Sequence, residues 1–181
     1  MNRGVDFLRS QVANAVMQHR TFLQALQDHE QQAKDVRFRD LCSRFIAKAM
    51  EHQRLLENYE RNLDTTGNES LAKRGEGLAK KAAGVAFGVA RDLADVIRED
   101  DFLKLVGDIV LARQAEDTFK TFRDAGRTLG LQQLANIGDV GERHHDEYVK
   151  EANRLVQTMF VERVQGAEAT IRAAEQPTTG A

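Results

Sequence analysis

The chain has 181 residues, 41% of them hydrophobic and 30% charged, with no tryptophan, one proline (Pro177) and one cysteine (Cys42). That length supports one sizeable core rather than two, and a lone cysteine excludes an intrachain disulfide framework and suits a reducing, cytoplasmic compartment. The formal charge of −2 interleaves acids with bases, so no nucleic-acid partner is expected; residues 1–8 hold no apolar leader, and no run approaches the ~18 apolar residues of a spanning helix.

The first stripe of apolar residues reads Val5, Leu8, Val12, Ala15, then Phe22 and Leu26, spaced by three and four with one gap, which predicts an amphipathic helix. His19 fills the gap. A second stripe runs Phe38, Leu41, Phe45, Ala49, then Leu56, Tyr59 and Leu63, and His52 occupies its missing turn. The polar run 28–34 reads as the connection of an antiparallel hairpin, and the second helix ends in Asp64-Thr65-Thr66-Gly67-Asn68. Residues 69–100 are long enough for a crossover with its own helix, and inside it 82–90 carries Gly84-x-x-x-Gly88, a spacing that lets another helix approach closely. Tight core packing is its first reading, with a protein partner or membrane-surface contact as the other.

A third stripe runs Phe102, Leu105, Ile109, Ala112 and then Phe119, with Glu116 at the interruption, and ends near Gly126 or Gly130. The last long helix reads Leu134, Ile137, Gly141, then Tyr148, Ala152, Leu155 and Met159, with His145 in the stripe and Glu142 beside it. The domain therefore spans 1–166, and 167–181 reads as a frayed or disordered tail.

Four helices thus each set one titratable residue into an apolar stripe: His19, His52, Glu116 and His145. At 1.5 Å per residue, all four lie roughly 20 to 28 Å from their short loops, near the middle of helices about 40 Å long, and so form one layer if the two loops sit at opposite ends. Imidazole and carboxylate groups in an apolar shell suit one Fe, Mn or Zn ion. Glu142 and His145 add an E-x-x-H pair on one helix face.

Two long antiparallel hairpins joined by a crossover, with an inward Glu and an E-x-x-H on the second hairpin, resemble the ferritin-like superfamily over Val5 to Met159. Small bacterial, stress-associated ferritin-like proteins are the nearest in general look. The resemblance implies a four-helix bundle and a di-iron site built from a Glu on each of two helices and an E-x-x-H on each of the others. Glu116 matches one Glu, and Glu142 with His145 matches one E-x-x-H. The first hairpin departs from that set: Ala49 stands where the Glu before His52 belongs, and the first helix offers His19 in place of a carboxylate. The expected centre therefore holds a single metal, through His52, Glu116, Glu142 and His145, with His19 as a fifth group.

The same residues also fit a non-catalytic bundle acting through protein contacts, its inward polar layer being a hydrogen-bonded network with Glu51, Arg54 and Asp117 close by. Either form has a remaining apolar face for a homodimer. His144 is expected to face solvent, His29 to mark a helix end, and Cys42 to pack as a small core residue. There is no G-x-S-x-G, no phosphate-binding loop and no C-x-x-C, and no substrate or reaction is indicated.

Overall fold

The computed structural model describes residues 3–65 and 100–175, and all regular structure among them is helical. Ala, Leu, Gln, Glu and Arg carry low helix cost, and no proline interrupts the described residues. The helices are α1 (Arg3–Gln32), α2 (Val36–Thr65), α3 (Asp101–Leu129), α4 (Gln132–Val164) and a short α5 (Glu168–Glu175). None is long and apolar enough to cross a membrane. The segment 82–90 and the rest of the expected crossover up to residue 99 lie outside the described residues.

The first connection is shorter than the polar run 28–34 suggests, because α1 continues to Gln32 and only three residues separate it from α2. A tertiary contact and a local bond hold that last turn: His29 bonds Asp108 at 2.8 Å, and buried Ala33 donates its N–H to the His29 carbonyl one turn back. Asp35 then caps α2, its carboxylate accepting from the Arg37 N–H at 2.8 Å. At the other hairpin, Gly130 adopts a left-handed φ of 69°, and the Leu131 N–H closes back on the Gly126 carbonyl at 2.8 Å. The tail expected from 167 contains a further eight-residue helix, α5, whose described side chains are exposed.

Cross-helix bonds give the directions. Arg20 meets Glu57, and Arg9 reaches the Leu63 carbonyl, so α1 and α2 are antiparallel. Arg37, Arg44 and Lys48 pair with Glu162, Glu151 and Glu147, which runs α4 against α2. His29 with Asp108 and Gln18 with Thr118 run α3 against α1. Helices α1 and α4 therefore point one way and α2 and α3 the other. The two hairpin loops lie at opposite ends of the bundle, and α3 begins at the end opposite to that where α2 stops.

Asp101 fixes the start of α3 beside the first loop. Its buried carboxylate accepts the N–H groups of Lys34 and Asp35 at 2.6 and 2.7 Å. Asp100 caps α3 through the Phe102 N–H and holds Arg163 of α4, whose guanidinium lowers its pKa to about 2. Inside, two apolar clusters fill the two halves of the bundle. One gathers Phe22, Leu26, Phe38, Leu41, Phe45 and Tyr148; the other gathers Val12, Val16, Leu56, Phe119, Phe122 and Leu134. The histidines stand at the boundary between them.

Candidate metal centre

Each of three helices contributes one imidazole to that boundary. His19 follows Val16 on the inner face of α1, His52 precedes Leu56 on α2, and His145 lies between Gly141 and Tyr148 on α4. They are 0%, 0% and 2% exposed. His19 packs edge-on to His52 and His145, with ring centroids 4.8 and 5.2 Å away, and one ring nitrogen from each residue lies within 4.8 Å of the others. Phe119 and Phe22 wall the group, at 4.4 Å from the His52 ring and 5.1 Å from the His145 ring.

The hydrogen bonds assign the tautomers. Carbonyl oxygens only accept, so His52 donates its Nε2–H to Ile137 at 3.1 Å, and His145 donates its Nδ1–H to Gly141 at 2.7 Å. Gln53 Nε2 donates to the Glu57 carboxylate at 2.7 Å, which turns Gln53 Oε1 toward His19 and makes His19 Nδ1 the donor at 3.0 Å. Arg20 donates to the same Glu57 oxygen at 2.8 Å. The remaining nitrogens, His19 Nε2, His52 Nδ1 and His145 Nε2, are buried and have no hydrogen-bond partner among the described residues. Each ring is thus oriented by one nitrogen and presents a bare lone pair on the other, which is how histidine ligands are held by their outer partners.

Burial, and then mutual repulsion, keeps these rings neutral at physiological pH. The His19 pKa falls well below its ordinary value, mainly through burial and then through His52 and His145. Burial takes His52 down to about 3 and His145 to about 4. Neutral imidazole is the ligating form.

Gly141 makes the packing feasible. A Cβ there would overlap His52 Cε1 and the Phe119 ring, so the bare backbone lets His52 settle against α4 and reach the Ile137 carbonyl. Gly138 serves the same hairpin, bringing the α4 backbone against Phe119 and Arg123 of α3.

Of the five expected site residues, the structure brings together His19, His52 and His145. Glu116 is half-buried and pairs with Arg113 at 2.9 Å, and Glu142 pairs with Arg123. Neither carboxylate joins the group. The reason is helical phase: the inner face of α3 follows Leu105, Asp108, Ala112, Ala115, Phe119 and Phe122, so the three-residue step from Ala112 leads to Ala115 and leaves Glu116 at the flank. His144, expected in solvent, is half-buried with its ring 6.4 Å from that of His52, and its Nδ1 also lacks a partner among the described residues.

Two functional candidates escaped the sequence reading. Gln53 sits one turn before Glu57, a spacing that marks the amide as held. Asp108 is the polar residue in the inner stripe of α3, at three residues from Leu105. It is 1% exposed and accepts from His29 and from the Tyr148 hydroxyl, the latter at 3.2 Å. Burial raises its pKa while His29 opposes the rise.

No protein-family model matches the chain, and no curated protein or solved structure matches it either.

Proposed function

We propose that this protein is a ferritin-like bundle that binds a single transition-metal ion through His19, His52 and His145. One observation carries the reading: three buried ring nitrogens without partners among the described residues, on three converging imidazoles whose other nitrogens are all engaged. A purely structural polar layer would pair both nitrogens of each ring, since a buried unsatisfied group costs about 1–3 kcal/mol. The helix directions, with α1 and α4 opposed to α2 and α3, favour the ferritin-like arrangement. The three imidazoles depart from a carboxylate-bridged pair of metals and suit one ion.

The test is elemental analysis of untagged protein before and after loading with Fe(II), Mn(II), Zn(II) and copper, followed by dialysis. Near-stoichiometric metal in the wild type, absent from His52→Ala, is the expected result. Protein that stays empty after every loading would overturn the proposal.

A further inference from the structure

The charge around the three imidazoles narrows the choice of ion. All three ligands are neutral, and so are the groups that receive their N–H bonds: the Gln53 amide and the Ile137 and Gly141 carbonyls. Three carboxylates on the surrounding helices are paired with arginines, Glu57 with Arg20, Glu116 with Arg113 and Glu142 with Arg123. No Asp, Glu or Cys among the described residues completes the group, and phenylalanine rings line its walls. An ion there keeps its full charge in a medium of low polarity, where the desolvation cost grows with the square of that charge.

Coordination number points the same way. A divalent ion such as Zn(II) takes a fourth ligand and, where the protein supplies three, draws on water or hydroxide. A closed-shell monovalent ion is satisfied by three nitrogens and carries half the charge into the apolar layer. Imidazole suits copper as it suits zinc, iron and nickel, so charge and coordination number, rather than ligand type, make the choice here.

Building on the metal-binding reading above, we infer that the His19, His52 and His145 group is a site for Cu(I), selected over Zn(II), Fe(II) and Mn(II) by its lack, among the described residues, of any anionic ligand or anionic second partner. Cys42 has no part in it. The thiol is buried in the half of the core that contains Phe38, Leu41 and Phe45, and burial pushes its pKa up, which disfavours the thiolate that metals bind.

The experiment is an anaerobic titration of the full chain with Cu(I) against a chromophoric Cu(I) chelator, alongside buffered titrations with Zn(II) and Co(II). X-ray absorption of the copper-loaded protein reads the ligand atoms. One Cu(I) per chain in an all-nitrogen, three-coordinate environment is expected, bound at least about a hundredfold more tightly than Zn(II) or Co(II). Binding should persist in Cys42→Ala and vanish in His145→Leu, with circular dichroism verifying that both variants fold. Zn(II) or Co(II) bound as tightly as Cu(I), with a tetrahedral Co(II) spectrum, would overturn the selectivity and leave the metal site standing. Cu(I) retained by His145→Leu would overturn its assignment to this group. No binding of any metal would overturn the selectivity and the metal-binding function together.

Discussion

Replacing His145 with leucine should stabilise the metal-free protein while destroying its capacity for metal. His145 is the informative choice because its one hydrogen bond goes to Gly141, four residues back on its own helix, so its removal strands no side chain elsewhere. Replacing His19, in contrast, would leave the Gln53 oxygen without its partner. Leucine is similar in volume, and the site is walled by Phe22 and Phe119. The substitution gives up one hydrogen bond worth about 0.5–1.5 kcal/mol and relieves a buried, unpaired nitrogen that costs about 1–3 kcal/mol. The net is a gain of about 1 kcal/mol, or a rise in Tm of about 2–4 °C for a chain of this size. Thermal and urea unfolding in EDTA at pH 7 measure it. With metal at a hundredfold excess over Kd, the wild type gains about 2.7 kcal/mol and the variant gains nothing, so the order of stabilities reverses. A loss of about 2 kcal/mol in the metal-free variant, the ordinary result of disturbing a well-packed core, would refute the reasoning.

Acid should unfold the metal-free protein early. The three histidines have folded pKa values below their ordinary value, so the unfolded chain binds more protons, and the stability present above pH 6.5 is lost as pH falls toward about 4. Each ring contributes about 1.4 kcal/mol per pH unit in that window, and Asp108, whose pKa moves the other way, offsets at most one of them. Urea titrations from pH 7 to 4.5 would give the slope, which should be shallower by about one proton in His145→Leu. A Gly141→Ala protein gains up to about 1 kcal/mol of helix propensity yet displaces His52 at an overpacking cost of about 1–3 kcal/mol. Its metal affinity should fall about 10–100-fold, the size of effect seen when a ligand's orientation is disturbed, and unchanged affinity in a dialysis assay would count against the role given to Gly141.

The sequence carries the helices well, because stripes such as Val12, Ala15, Phe22 and Leu26 repeat at helical spacing and turn residues punctuate them. It also shows three of the four polar intruders, since His19, His52 and His145 each interrupt an unambiguous apolar run. The α3 stripe is harder to read: from Leu105, both Asp108 and Ile109 are acceptable next steps, and from Ala112 both Ala115 and Glu116 are. Apolarity favours Ile109, while packing against α1 and α4 selects Asp108, because His29 of α1 and Tyr148 of α4 are there to donate to its carboxylate. Partners of that kind arise from tertiary structure and leave no local trace. The fate of Glu142 is similar, for its spacing from His145 places it on the same side of α4 but does not reveal that Arg123 waits across the hairpin.

The polar layer between the two apolar halves also acts as a ruler for the bundle. Long helices with uniform apolar seams can slide by a turn and bury nearly the same surface, but here a slip of α2 along α4 would carry His52 away from the Ile137 carbonyl and out of the opening over Gly141. A slip of α1 along α2 would part His19 from Gln53 and set its imidazole against the apolar turns of α2 that hold Phe45 or Leu56. The aligned register is the one that brings three rings to a common height, so the same side chains that lower the stability of the empty bundle also determine which of its near-equivalent assemblies forms.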